Sequence, residues 1–382
     1  MTVENISELI RIAKDPGKTI EQTLKRTGKK AVGVFPVYAA EEVIYAAGAL
    51  PVGLWGGQAN ISKASQYLQS FCCSVMKANV ENGLNGVYSP LSAVVIPTFC
   101  DTLKCIGEVW KTAVDHPKSI TFVYPQNRKL DAGAEFMERE LKRLAEEIEA
   151  ITGNDVKEED LEKSIAVYNE YRRAAREFVK ISPDYPKTIG AKERHNILKA
   201  AFFMDKKEYT EKLLGAIEEL KAKEKERTSE KGVVITGLLA EPDEFLDLFS
   251  ENGMLFAADD LVQESKQFRH DVPEEGDSPI ARLAHRVVVQ DGCSLLYDCG
   301  KSRGAVIIDL VRKTKADGVV VCMMKFCDPE EFDYPIYKKE IENEGIPMLY
   351  LEIEQKMDSV EQLRTRIQTF AEMLGDKRCS SE

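Results

Sequence analysis

Two blocks of short apolar runs alternating with helical patterns, at 31–126 and from 232 onward, flank a stretch of long charged segments. These observations predict an α/β protein of two Rossmann-like parallel-sheet domains separated by a helical segment. The expected divisions are an N-terminal α/β domain with leading helices (1–126), a helical domain (127–231) and a C-terminal α/β domain (232–382). Length agrees, because 382 residues exceed the ~100–200 of a usual single domain.

In the first block AVGVFP (31–36) reads as a strand, AEEVIYAAGA (40–49) as a helix and LPVGLWGG (50–57) as a strand ending in glycines. SKASQYLQSFCCSVMKANVENG (62–83) follows as an amphipathic helix, and LSAVVIP (91–97) as a buried strand. TFCDTLKCIGEVWKTA then reads as a helix with Asp101 as its N-cap, and SITFVYP (119–125) as the next strand. In the middle, EFMERELKRLAEEIEAIT and EYTEKLLGAIEELKAKEKER repeat apolar residues at three and four. Their charge runs read as solvated helix faces carrying i,i+4 pairs.

In the second block GVVITG (232–237) is a strand, AEPDEFLDLFSENG a helix, MLFAADD (254–260) a strand, and a loop and helix run through RLAHRVVV. KADGVVVCMM (315–324) is a buried strand, DYPIYKKEIENEG (333–345) a helix ended by Gly345, IPMLYLEIE (346–354) a strand and SVEQLRTRIQTFAEML a closing helix. The halves resemble each other in pattern only. No short-period repeat is present, which excludes a solenoid.

Hydrophobic residues at 43% and charged residues at 30% are ordinary for a folded chain. A formal net charge of −12 argues against general binding to a phosphate backbone, so no nucleic-acid partner is expected. MTVENISELIRIAKD lacks a continuous apolar core, and no run of about 18 apolar residues occurs. No membrane association is therefore expected, and the expected location is cytoplasmic. No P-loop and no G-x-G-x-x-G follows a strand, so neither ATP nor a nicotinamide dinucleotide is expected in this chain.

Nine cysteines in a reducing compartment point to metal binding or core packing rather than to disulfides. Open parallel sheets gather ligands beyond the carboxyl ends of their strands. Cys100 follows SAVVIPTF and Cys327 follows GVVVCMMKF, each with aspartate next, so one stands at a strand exit of each half. Cys73 lies on the helix that leads to the strand before Cys100 and can enter the same cleft. Three thiolates from distant parts of a chain suit a tetrahedral zinc site or a [4Fe–4S] cluster with one open iron. The alternative is buried packing.

The remaining candidates divide by context. A helix aims only one of two adjacent residues straight into a given cleft, and Cys73 is chosen, with Cys72 as the fallback. Cys322, inside VVVCMM, reads as core, and Cys105 as a supporting thiol or packing. Cys293 and Cys299 flank a short run among turn residues, and Cys379 in the polar tail is incidental. Glu41 and Glu42 read as carboxylates at a helix start in preference to catalytic groups, and Asp259 and Asp260 end a strand toward the cleft side, with N-capping as the alternative. The four histidines, His116, His195, His270 and His285, have no metal or triad spacing.

The strings GKKAVGVFPVYAAEEVIYAAGALPVGLWGG, IPTFCDTLKCIGEVWK, YPQNRKL, DDLVQESKQFRHDV and MMKFCDPEEFDYP resemble the 2-hydroxyacyl-CoA dehydratase family along nearly the whole chain. They are most similar to the β-type subunits that act on 2-hydroxyisocaproyl-CoA, phenyllactyl-CoA or lactoyl-CoA. The resemblance implies a [4Fe–4S] cluster on Cys73 (SFCCS), Cys100 (TFCDT) and Cys327 (KFCDPEE), which are then the metal and cofactor-binding residues. It implies a heterodimer with a homologous α subunit, an ATP-dependent iron–sulfur activator protein and a 2-hydroxyacyl-CoA substrate. The implied reaction removes water from an (R)-2-hydroxyacyl-CoA to give a 2-enoyl-CoA through a ketyl radical. This subunit would relay the activating electron, so no catalytic base is assigned to it. The alternatives are a reductase subunit of the benzoyl-CoA reductase or double-cubane-cluster type, and a structural thiol or zinc-binding protein.

Overall fold

Val32, Val34, Val94, Val95, Ile96, Val233, Ile235 and Val319–Val321 are buried, as strands covered on both faces by helices require. The structure, a computed structural model, describes residues 4–226 and 228–379, with side chains through 375. The side chain of Cys379 lies outside the described residues.

The first half contains α1 (Glu4–Lys14), α2 (Pro16–Thr27), β1 (Ala31–Val34), α3 (Glu41–Ala46), β2 (Leu50–Gly53), α4 (Ser74–Leu84), β3 (Ala93–Pro97), α5 (Asp101–Ala113) and β4 (Lys118–Phe122). Four helices form the middle: α6 (Asp131–Thr152), α7 (Glu158–Ile181), α8 (Ala191–Lys199) and α9 (Lys206–Lys221). The second half runs through β5 (Lys231–Gly237), α10 (Asp243–Glu251), β6 (Met254–Leu261), α11 (Ser265–Phe268), α12 (Pro279–Val288) and α13 (Arg303–Thr314). It closes with β7 (Gly318–Met324), α14 (Asp328–Asn343), β8 (Met348–Ile353) and α15 (Glu361–Cys379).

The two sheets have the same order, β2-β1-β3-β4 and β6-β5-β7-β8, and every pairing is parallel. The predicted α/β class with two parallel sheets is therefore the observed one. In each sheet the winding reverses beside the first strand, between β1 and β3 and between β5 and β7. The carboxyl ends at these reversals leave a crevice, because successive connections depart to opposite sides. One hydrophobic cluster includes residues of both sheets and of the middle helices, and α1 packs on α8 and α9. Among the described residues no helix is long and apolar enough to cross a membrane.

Several boundaries differ from expectation for identifiable reasons. Residues 62–83 are not one helix: a 3-10 turn occupies Ala64–Gln66, and α4 begins only at Ser74. The carboxylate of Glu81 accepts from the backbone N–H of Ser62 (2.9 Å) and of Ala64 (2.8 Å), folding that segment back over α4. β2 stops at Gly53, before Gly56 and Gly57 at φ +81° and +78°, a region closed to strand geometry. α14 starts at Asp328 rather than 333, with Pro329 in its first turn where a missing N–H costs nothing. α13 has no counterpart in the sequence reading.

Candidate functional site

The exits of β3 and β7 occupy equivalent places in the two sheets, and each carries one of the cysteines singled out by the sequence. Cys100 is the N-cap of α5 and Cys327 the N-cap of α14. Cys73 is the N-cap of α4, with extended backbone (φ −63°, ψ 150°), and so precedes the helix instead of lying on it. This corrects the expected placement while leaving the residue at the cleft. Asp101 is likewise not the N-cap of α5 but its first residue, paired with Lys104 at 3.3 Å.

Contacts between the halves bring the three thiols together. The Ser74 hydroxyl donates to Met324 Sδ at the end of β7 (3.2 Å) and accepts from Gln355 N–H after β8 (2.9 Å). Gln355 Nε2 also donates to the carbonyl of Trp55 beyond β2 and to Glu241 Oε2 (3.2 Å) beyond β5. Lys77 of α4 lies over the ring of Phe326, with Nζ 5.6 Å from its centre. Phe326 has φ +63°, unusual for a bulky residue, and its N–H donates to Glu331 Oε1 (3.2 Å), which supports the turn presenting Cys327. A polar groove of about 530 Å³ lined by Ser70, Ser74, Lys77, Gln355 and Lys356 opens beside Cys73.

Cys73 and Cys327 are buried, 7% and 6% exposed, and Cys100 is partly buried. Burial pushes the Cys73 thiol up to about 12, and thiolate charge at Cys100 and Cys72 adds to it. Cys327 is raised strongly by burial, then by Glu330, Cys73 and Cys100. Burial raises Cys100 too, against backbone N–H donors from Leu103 and Thr102. The thiols influence one another and stay protonated until a positively charged group replaces their protons. All three stand at helix starts, where free N–H groups favour bound negative charge. Among the described residues no set of His, Cys, Asp or Glu side chains is spaced to hold one metal ion.

Neighbouring cysteines separate from this trio. Burial raises Cys72, and Lys77 of α4 with Thr102 and Cys105 of α5 also act on it, which puts it beside α5. Cys322 is fully buried in β7, where burial and then the Glu264 charge raise its thiol. Cys293 is buried, whereas Cys105 and Cys299 are exposed.

Asp259 and Asp260 are not N-caps but members of buried ion networks. Arg194 of α8 pairs with Asp259 and Glu264, and His195 contacts Glu264 Oε1 (2.8 Å) and Glu241 Oε1 (3.2 Å). Lys199 also pairs with Glu241. Glu41 and Glu42 do open α3, but they also pair with Lys206 (3.1 Å) and Arg172 from the middle helices. His195 thus has a role that motif spacing did not indicate, since its partners lie 46 and 69 residues away.

The His195 network sets an expected pH response. Burial alone would depress His195, but Glu241 and Glu264 outweigh it and raise the imidazole above its ordinary value. Burial opposes ionisation of Glu241 and Glu264, yet Lys199, Arg194 and His195 hold both below the ordinary carboxylate range. The carboxylate contribution is full above the unfolded value of ~4.3 and is lost as pH falls through the folded values. The imidazolium contribution is full below ~6.5 and is lost as pH rises through its higher folded value. Urea unfolding across pH is therefore expected to show greatest stability from this network between those limits. In His195→Gln the alkaline decline should flatten; an unchanged alkaline limb would show that His195 does not ionise as described.

A sequence profile of the "2-hydroxyglutaryl-CoA dehydratase, D-component" family matches residues 36–374. The chain is 44% identical over 370 residues to the lactoyl-CoA dehydratase subunit beta of Anaerotignum propionicum, covering 97% of this chain and 98% of that one. It is 41% identical over 363 residues to the (R)-phenyllactyl-CoA dehydratase beta subunit of Clostridium sporogenes, covering 95% and 96%. It is 34% identical over 375 residues to subunit beta of (R)-2-hydroxyglutaryl-CoA dehydratase from Acidaminococcus fermentans, covering 97% and 98%.

Proposed function

Because the chain belongs to the 2-hydroxyglutaryl-CoA dehydratase D-component family, we propose that it is the β subunit of a hydro-lyase that converts an (R)-2-hydroxyacyl-CoA to a 2-enoyl-CoA. Its partners in this reading are a homologous α subunit and an ATP-dependent iron–sulfur activator. The role of this subunit is to pass on the activating electron, while substrate reacts at the α subunit through a ketyl radical. The observation that carries the reading is the convergence of Cys73, Cys100 and Cys327 at three helix starts.

The donor set fits a [4Fe–4S] group. A cluster distributes its thiolates over different irons, so its ligands stand farther apart than those of one ion. Such a group supplies one-electron chemistry when bound. The chain's own contribution is to hold Cys73, Cys100 and Cys327 in place through helix starts and the Ser74 and Gln355 clasp. Burial of Cys73 and Cys327 limits water at the site, and the helix N-termini offset the charge of three thiolates. No side chain here is assigned to remove a substrate proton.

The test is anaerobic co-expression with its homologous partner chain and activator, followed by iron and acid-labile sulfide analysis and assay against a panel of 2-hydroxyacyl-CoA thioesters. About four irons per chain and water elimination without net consumption of reductant are expected. Zinc without sulfide would refute the reading, and one reductant equivalent consumed per turnover would move the protein to the reductases.

A further inference from the structure

Behind Cys327 lies a buried chain of charges. Glu330, in the first turn of α14, is fully buried. It stands one helical turn on from Cys327, the N-cap of the same helix, and its carboxylate charge is felt at that thiol. The carboxylate is gripped by both terminal nitrogens of Arg303, at 2.8 and 2.9 Å, and by the Ser294 hydroxyl. Arg303, the first residue of α13, continues to Thr236 Oγ1 (3.0 Å) on β5 and Asp260 Oδ2 (3.3 Å) on β6, with its guanidinium 4.9 Å over the ring of Tyr337. Asp260 in turn holds Lys266 (2.8 Å) and Arg269.

The group therefore comprises Lys266, Arg269 and Arg303 against Asp260 and Glu330, an excess of one formal positive charge when all are ionised. Fields are screened weakly in such an interior, so these charges act on anything held by Cys327. An iron–sulfur group bound by three thiolates is anionic, and its reduction adds another negative charge. The potential of such a group follows nearby charge and hydrogen bonding.

We propose that the buried Glu330–Arg303–Asp260–Lys266 chain sets the reduction potential of the cluster bound at Cys327. This rests on the iron–sulfur reading above. The Glu330 carboxylate opposes electron uptake, and Arg303 limits that opposition by bidentate pairing. Ser294 and Arg303 are thereby adjusters of how much of the Glu330 charge the site feels.

The experiment is an anaerobic redox titration, followed by electron paramagnetic resonance, of the assembled protein in wild-type, Glu330→Gln and Ser294→Ala forms. Glu330→Gln removes a negative charge and is expected to shift the potential upward. Ser294→Ala removes a donor from the carboxylate and is expected to shift it downward. Asp259→Asn, in the separate Arg194 network, provides the comparison for general disturbance of a buried ion pair and should leave the potential where it was. If Glu330→Gln does not fold, Ser294→Ala decides, since it leaves every charge in place. A potential unchanged in the folded variants, or moved equally by Asp259→Asn, overturns the proposal. Absence of iron and sulfide from the wild-type protein would instead overturn the iron–sulfur reading on which it rests.

Discussion

Serine in place of Cys73, Cys100 or Cys327, one at a time, is expected to strip the chain of iron and acid-labile sulfide and to reduce the activity of the assembled enzyme below about 1% of the parental level. Losses of ~10–100-fold are usual when a partner behind a metal ligand is removed, and replacing the ligand itself is more severe. A serine hydroxyl is a harder and less readily ionised donor than a thiolate, so it is a poor substitute toward iron. The paired controls are Cys72→Ser and Cys322→Ser. Cys72 is turned toward Thr102 and Cys105, and Cys322 is fully buried within β7, so both variants are expected to retain iron. Full iron and activity in any one of the three ligand variants would remove that residue from the site. Loss in Cys72→Ser with retention in Cys73→Ser would transfer the role to its neighbour.

Arg194→Met should be the most destabilising single substitution among the ion pairs that join the middle helices to the second sheet. Arg194 is buried on α8 and pairs with Asp259 of β6 and with Glu264, both also buried. Methionine occupies much of the same volume but leaves two carboxylates facing an interior that cannot solvate them. Removing one partner from a buried pair costs about 3–5 kcal/mol, mostly the penalty of the stranded charge. The matched comparison is Lys25→Met, which removes the exposed i,i+4 partner of Glu21 and should barely move the urea midpoint. Circular dichroism is the suitable readout, because Trp55 and Trp110 both report on the first half. Equal midpoints for the two variants would show that water or relaxation solvates Asp259 and Glu264.

The architecture and the site were legible to different depths. Parallel α/β structure was carried by runs such as AVVIP and GVVVCMM, whose burial on both faces leaves almost no polar position. Helix α13 was missed because KSRGAVIIDLVRKT reads as an apolar run between charged ends, although Ser302 stands at its N-cap. Its first residue, Arg303, points inward to Glu330 and Asp260 instead of outward, and only the assembled sheet supplies those partners.

By itself, the sequence determined that two parallel sheets would form and that Cys100 and Cys327 would stand just past strand ends. Both follow from local periodicity, which depends on neighbours along the chain. Tertiary structure decided that Cys73 precedes α4 as its N-cap instead of lying on the helix, with Ser74 anchored to Met324 and Gln355. It also turned Asp259, Asp260, His195 and Glu330 from ordinary surface-type residues into buried charges. Their partners lie on other elements, and the electrostatics that hold them arise only when folding removes water from between them.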